Sequence, residues 1–464
     1  MRQDETTGAI GGGDAFGPAR EVGAGADGQE VRRRRVLYVA GYMPQSPEQQ
    51  QMLLRLDVRR FARVWGVRVD VDRQVAHHPE TPSASWPITL SGDGVHVDVT
   101  YETLRWDDIV ARDFAQPLAL KLVYSVGTIL EGLFSGLIPR VSLAAPRYAL
   151  AWAYPVVVVC LAVALAALKG VAVASLFVAL DVAYEIGLAV GVGAFAFGAV
   201  GLLHLLRRSG SFVVHLMDDG RSQLRYARRV ERTLHARVDA FADRIRALVA
   251  LNDADEILVV GHSSGSFLAI DALARAFEAD PEVGRKGPRL ALLTAGATEL
   301  LVALHPAAGW LRARIARLAV ERSLFWGEVA APWDALNFPH RDPVTELKLD
   351  VPRDRPNPVF RRVYLSKMKT EGTIRDLRRG FRLFRLHHQF VMANEIRGPY
   401  DYFSLLLGAW SARSQFARTE DRSLMSPLPG VAPPPLPRPA FLKPLPESGA
   451  PERRSAWRKL WSRG

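Results

Sequence analysis

The residues Gly261-His262-Ser263-Ser264-Gly265 set a serine in the pattern G-x-S-x-G. A serine hydroxyl is a poor nucleophile until a base takes its proton and a buried carboxylate orients that base. Such a set performs acyl transfer through an acyl-serine. The flanks decide whether the serine can be presented for it. Ile257–Val260 is a short apolar run, partly β-branched, as in a strand buried on both faces. Phe267, Leu268, Ile270 and Leu273 then recur at helical spacing. A strand-to-helix turn here forces Ser263 towards strained φ/ψ and lifts its hydroxyl above the sheet. It also aims the Ser264 N–H at the place where an oxyanion forms. The flanking glycines let strand and helix pass without a Cβ clash.

The stretch resembles the nucleophile elbow of the α/β-hydrolase family, and GHSSG is most similar to its lipase and esterase members. The resemblance implies a mostly parallel, doubly wound sheet and triad members in the order Ser, Asp or Glu, His. The acid is then expected just past a later strand. Asp334, in Ala330-Ala331-Pro332-Trp333-Asp334, holds that place, with Asp342 as the alternative. The base is expected after a further strand. His387, next after Phe381–Leu386, is preferred, with His388 as the alternative; His305 and His340 come too early. The second oxyanion N–H is expected in the loop after an early strand, at Tyr42 following Gly41, with Met43 in reserve. Plainer readings are a helix cap or Asx turn for either acid, a solvent-facing ring for one of the paired histidines, and a strand end for Gly41. There is no G-x-x-x-x-G-K-[ST] loop and no H-E-x-x-H, and this chemistry calls for neither metal nor organic cofactor.

Those residues need elements to hold them. Val36–Ala40, Val67–Val71 and Val95–Tyr101 read as strands, and Gln49–Trp65 as a helix. Phe212–Leu216 reads as a strand and Asp219–Leu251 as one long helix leading into the elbow. Arg289–Ala295, Leu324–Val329, Phe360–Leu365 and Phe381–Leu386 read as further strands, with Gln389–Ile396 helix-like. The rhythm of strand then helix is that of a doubly wound sheet. The resemblance covers 31–112 and 209–417. The elbow lies later than is usual in the family, because an apolar insertion interrupts the pattern.

In that insertion, 113–147 reads as an amphipathic, interfacial segment, with a cap helix over the site as the alternative reading of Leu118–Leu143. Tyr148–Leu168 and Ile186–Leu206 lack any charge, and each is long enough to cross a hydrocarbon core of about 30 Å. They are expected to form a transmembrane hairpin over 148–206, linked by Lys169–Glu185, with Gly187, Gly191, Ala194 and Gly198 as a close-packing face. Residues 1–30 read as a disordered tail ended by Arg32–Arg35. Residues 418–464 read as a Pro-rich, basic tail suited to a proline-reading partner or an anionic surface. The net charge of +12 and pI near 10.0 favour nucleic acid or an anionic membrane. The apolar runs select the membrane, and no RNA-binding signature or zinc-finger spacing is present. Cys160, the single cysteine, excludes a disulfide framework.

The expected function is therefore that of a membrane-anchored serine hydrolase cleaving a lipophilic carboxylic ester. Arg140, Arg147 and Arg207-Arg208 flank the hairpin and put the catalytic part, 31–112 with 207–417, on the cytoplasmic side. Alternatives are a non-catalytic membrane scaffold of hydrolase fold and a serine acyltransferase or thioesterase.

Overall fold

The computed structural model describes residues 30–208, 212–339, 341–379, 383–418 and 424–429. Strand β1 (Arg33–Val39) lies inside a nine-stranded sheet. Helix α1 (Pro47–Trp65) follows, opened by a reciprocal Ser46–Gln49 cap with Pro47 in its first turn and closed by Gly66 at φ +72°. Strands β2 (Arg68–Val71), β3 (Ala76–His78) and β4 (Ser83–Gly92) lead to β5 (Val95–Leu104). β4 pairs antiparallel with β2, β3 and β5, and β5 pairs parallel with β1.

The chain then leaves the sheet through α2 (Asp107–Phe114), α3 (Leu118–Phe134), α4 (Leu137–Ala144), α5 (Pro146–Ala179), α6 (Tyr184–Arg208), α7 (Val213–Ala227) and α8 (Arg232–Leu251). It returns on the other side of β1 as β6 (Glu256–His262). From there α9 (Gly265–Ala279), β7 (Arg289–Ala295), α10 (Glu299–Ala303), α11 (Gly309–Val320), β8 (Leu324–Ala330), α12 (Pro343–Glu346) and β9 (Val359–Arg362) build outward. Short helices α13 (Glu371–Arg378), α14 (Leu383–His387), α15 (Tyr402–Leu407) and α16 (Ala412–Arg418) complete the described chain. The strand order is β2-β4-β5-β1-β6-β7-β8-β9, parallel from β5 to β9. The protein is thus a mixed α/β structure with a mostly parallel sheet.

Alternation along the central strands sorts their side chains to two cores. Leu37, Ile257 and Val259 meet Phe241, Ile245, Phe267 and Leu311 on one face. Val36, Leu258 and Val260 meet Val58, Phe61, Phe403 and Phe416 on the other. Strand order reverses between β1 and β6, and their carboxyl ends flank a crevice of the kind open α/β sheets use for ligands. Arg34, in β1 itself, is 1% exposed. Its Nε donates to Glu256 at 2.8 Å, and its terminal nitrogens donate to the carbonyls of Leu406, Gly408 and Trp410.

α5 and α6 are long and apolar enough to cross a membrane, and only 17% and 11% of their most apolar stretches are buried. They close on each other through small residues. A Cβ on Gly191 would lie 2.7 Å from the Ala174 Cβ and 2.8 Å from the Gly170 carbonyl oxygen. α5 spans 34 residues, about 51 Å at 1.5 Å each. Its first turns belong to the sheet part, with Tyr148 stacked on Phe338 at 4.7 Å. α3 and α4 lie beside that end. α3 buries Lys121, Ser125 and Thr128 and exposes Val126, Leu133 and Phe134.

Several local expectations are corrected. Phe212–Leu216 is not a strand: Val213 begins α7, whose inner face buries Val213, His215, Leu216 and Met217. The expected Asp219–Leu251 helix breaks at 228–231, where Arg229 takes φ +60°. The connection of the hairpin is only 180–183, because Lys169 continues α5 with its ammonium 5.3 Å over the Phe197 ring. Leu383–Leu386 is helical rather than extended, and Phe381 lies outside the described residues. His388–Val391 is a 3₁₀ turn that ends the helix-like reading of 389–396. β4 was not anticipated. Arg33–Arg35 begin a strand rather than end a tail, and Glu30 bridges to Trp410. Met425 and Leu428 are buried, so the C-terminal segment is packed at least to there. The remainder of both expected tails, with the basic C-terminal face, lies outside the described residues.

Candidate functional site

Ser263 follows β6 at φ +54°, a left-handed conformation that costs a non-glycine residue on the order of 1 kcal/mol or more. Its N–H donates to the Ala295 carbonyl at 3.1 Å, and its carbonyl accepts from the Ser266 N–H at 2.9 Å. Close approach holds the turn. A Cβ on Gly265 would lie 2.1 Å from the Val39 carbonyl oxygen, and one on Gly41 would lie 3.0 Å from the Ser263 Cβ. The loop after β1 is therefore pressed against the serine. Among the described residues, the N–H groups of Tyr42 and Ser264 have no backbone acceptor.

Asp334 lies four residues past β8, and His387 ends α14. His387 Nδ1 and Asp334 Oδ2 are 2.7 Å apart, and each residue is 1% exposed. The carboxylate also accepts from the Leu336 N–H at 3.0 Å and from Asn337 Nδ2 at 2.6 Å. A carboxylate only accepts, so the Nδ1 proton faces Asp334, and in the neutral tautomer that this bond selects Nε2 is the acceptor. Among the described residues Nε2 has no hydrogen-bond partner. His387 lines the pocket that Ser263, Gly41, Tyr42 and Met43 also line, with no hydrogen bond from Nε2 to the Ser263 hydroxyl. The helical turn of α14 explains why His387 faces inward. It stands three residues after Phe384, which also lines this pocket.

The alternatives fall elsewhere. Asp342 caps α12, accepting from the Val344 and Thr345 N–H groups at 2.8 and 3.1 Å, and pairs with Arg355. His388 lines the same pocket but sets Nδ1 against the Phe384 carbonyl at 2.7 Å; burial, then the neighbouring His387, hold it down to about 4. His262 lies with its ring centroid 5.1 Å from those of both His387 and His388, and burial keeps it well below the ordinary range. His305 caps a 3₁₀ turn and faces Glu131, and His340 lies outside the described residues.

Sequence reasoning missed the residues that α7 and α5 bring. The Ser264 hydroxyl donates to Asp219 at 2.8 Å and accepts from Gln223 at 3.1 Å. Asp219 lines the pocket, and burial pushes its carboxyl up to about 6. His215 lines it too, held down to about 3 by burial. Tyr148 of α5 and Thr298 close the sides. No motif marks them. Only the helical register of α7, misread as a strand at its start, would have put His215 and Asp219 one turn apart. Beneath α9, Glu299 and Glu328 are both buried; burial lifts Glu299 to about 7 and, with Glu299 beside it, lifts Glu328 well above the carboxylate range. Among the described residues no cluster of His, Cys, Asp or Glu could hold a metal ion.

No family model, no curated protein and no solved structure matches this chain.

Proposed function

We propose that the protein is a membrane-anchored serine hydrolase of α/β-hydrolase type that cleaves a lipophilic carboxylic ester. One observation carries the reading. A fully buried carboxylate holds the His387 ring by Nδ1, and His387 lines the same pocket as Ser263, itself held in a strained turn. An oriented base and a strained, presented serine have their use in acyl transfer.

In the proposed reaction Ser263 Oγ attacks the ester carbonyl carbon and its proton passes to His387 Nε2. Asp334 holds the ring and stabilises the imidazolium. The N–H groups of Tyr42 and Ser264 receive the oxyanion. The C–O bond to the alcohol breaks and Nε2 returns the proton to the leaving oxygen. Water then repeats the sequence on the acyl-serine and releases the acid. The Ser264 hydroxyl, bonded to Asp219 and Gln223, steadies the backbone that carries one oxyanion donor.

The hairpin supports a bilayer location, with the sheet part on the cytoplasmic face beside anionic lipid. Arg140 and Arg147 donate to the carbonyls of Leu304 and Pro332, so the basic flank of the first span joins the sheet part. A single experiment tests chemistry and side together. A membrane-permeant fluorophosphonate should label the wild type in intact cells and not the Ser263→Ala variant, whereas an impermeant one should label only after lysis. Full labelling of Ser263→Ala would move the chemistry to another residue, and impermeant labelling of intact cells would invert the topology.

A further inference from the structure

The pocket at Ser263 encloses about 30 Å³, the room of one water molecule. It takes the reacting carbonyl but not the chains of an ester. A second cavity, of about 420 Å³, lies between α3, α4, the start of α5 and α10. That size falls within the roughly 300–1,000 Å³ of small-molecule sites. Ile129, Val141, Trp152, Val156 and Leu301 line it, and the Ser142 hydroxyl and the Trp152 indole N–H are the polar side-chain groups of its lining residues. Its rim includes Leu150 and Val157, which are 71% and 50% exposed on the apolar outer face of α5. The mouth therefore opens where the candidate span would meet hydrocarbon.

The two chambers share their walls. Tyr148 borders the serine pocket and Ala149 the apolar cavity; Thr298, which caps α10, borders the first and Leu301 the second. A single turn of α5 and a single turn of α10 separate them. Trp152 is seated against α3 and α7, where a Cβ on Gly132 or Gly220 would meet it at 3.0 or 2.6 Å. The cavity is thus framed by fixed elements rather than by loops.

We infer that this cavity seats the acyl chain of a bilayer-borne ester substrate, with the carboxyl end passing Tyr148 to Ser263. The inference rests on the hydrolase reading and names its substrate class. A chain without charge or hydrogen-bonding groups matches a lining without ion pairs. Lateral access lets it leave the bilayer without crossing water, and the small serine pocket admits only the ester group.

The test uses the full-length protein in detergent micelles, with p-nitrophenyl butyrate and p-nitrophenyl palmitate as substrates. Ala153→Trp and Leu301→Phe each fill part of the cavity. In both, the ratio of kcat/KM for palmitate to that for butyrate should fall by roughly tenfold or more, as a filled apolar subsite discriminates by chain length. In parallel, a palmitate ester with a terminal diazirine is photolysed on Ser263→Ala, which needs no cavity substitution to fold. Crosslinks should fall within 129–157 or at Leu301. Turnover of both esters with an unaltered ratio, or crosslinks elsewhere, would overturn the cavity assignment and leave the hydrolase reading standing. Crosslinks in the cavity with no ester turned over by the wild type would sink the hydrolase reading, and the substrate assignment with it.

Discussion

Helices α1 and α3 are of similar length, 19 and 17 residues, but α1 buries its large apolar side chains, beside Gln51 and Asp57, where α3 exposes its own. α1 hides Leu53, Val58, Phe61 and Trp65. α3 hides Lys121, Ser125 and Thr128 and turns outward Val126, Leu133 and Phe134, the last 88% exposed. Lys121 finds Asp218 for its ion pair, and Thr128 donates to the Tyr124 carbonyl at 2.9 Å. Burying a charge is tolerable only with such a partner. The outward apolar face of α3 is continuous in character with α5 and α6. The partner of each face decides the pattern: α1 turns its large apolar side chains to the sheet part, and α3 turns Val126, Leu133 and Phe134 away from it. On the proposed function, chemistry and bilayer contact are divided between two parts of one chain.

The largest expected effect separates these parts. His387→Ala should lower kcat/KM by about 10³–10⁴, and Asp334→Asn by about as much or less, because both half-reactions lose the oriented proton carrier. Neither should alter recovery of the protein in the membrane fraction. If His388→Ala were inactive while His387→Ala retained activity, the Asp334-linked ring would not be the base.

A matched pair of truncations probes the comparison directly. Phe61→Ala, at a side chain 1% exposed, should cost about 3–5 kcal/mol of stability by the loss of burial and the cavity left behind. Phe134→Ala should change thermal stability by no more than about 0.5 kcal/mol yet weaken binding to liposomes. Equal melting losses from the two variants would mean that Phe134 is covered by protein.

The smallest effect concerns buried charge in the sheet part. Glu299 and Glu328 are buried as neighbours, with Arg355 acting on Glu328, and the Glu299 carboxyl is lifted from its ordinary value to about 7, chiefly by burial. A raised carboxyl keeps its proton in the fold while the unfolded chain releases it near 4.5. Stability is therefore lost as pH rises from about 4.5 to about 7. Glu299→Gln cannot ionise, so it should flatten that loss and raise stability at pH 8 by about 1–3 kcal/mol relative to the wild type. Melting curves at pH 5 and pH 8 check this; an unchanged difference between the two would mean that Glu299 is ionised throughout.

Elements whose residues face one environment along their length were legible. β1, β5, β6, β7 and β8 announce themselves as apolar or alternating runs, and α5 and α6 as long uncharged ones. Ser263 and Asp334 could be singled out because each follows a strand legible in the sequence. His387 was reached through a strand reading of Phe-Arg-Leu-Phe-Arg-Leu, which repeats every three residues rather than every two; Leu383–His387 is helical, with Phe384 packed on Phe212 at 4.2 Å. FVVHL failed for the opposite reason, since β-branched propensity is weak beside a buried helical face. Asp219 and Gln223 were invisible, because a polar residue on a helix gains meaning only from what the fold sets opposite it. β4 was missed although Ala84, Trp86, Ile88 and Leu90 alternate, because Pro87 between them cannot donate to a ladder and argues against a strand.

The register of β1 has a consequence for the order of synthesis. Arg34 pairs with Glu256, 222 residues later, and α5 and α6 are made in between. At about 5–20 residues per second, the β1 edge awaiting β6 stays open for roughly ten to forty seconds while both long apolar helices emerge. An open, apolar strand edge is an invitation to pair with another nascent chain. The run Arg33-Arg34-Arg35 places like charges along that edge, so two such edges repel while they wait. When β6 arrives, Arg35 meets Asp253, Arg34 meets Glu256, and the carbonyls of 406–410 close over the guanidinium last. The same arginines that guard the unfinished sheet become the latch that only a completed chain can fasten.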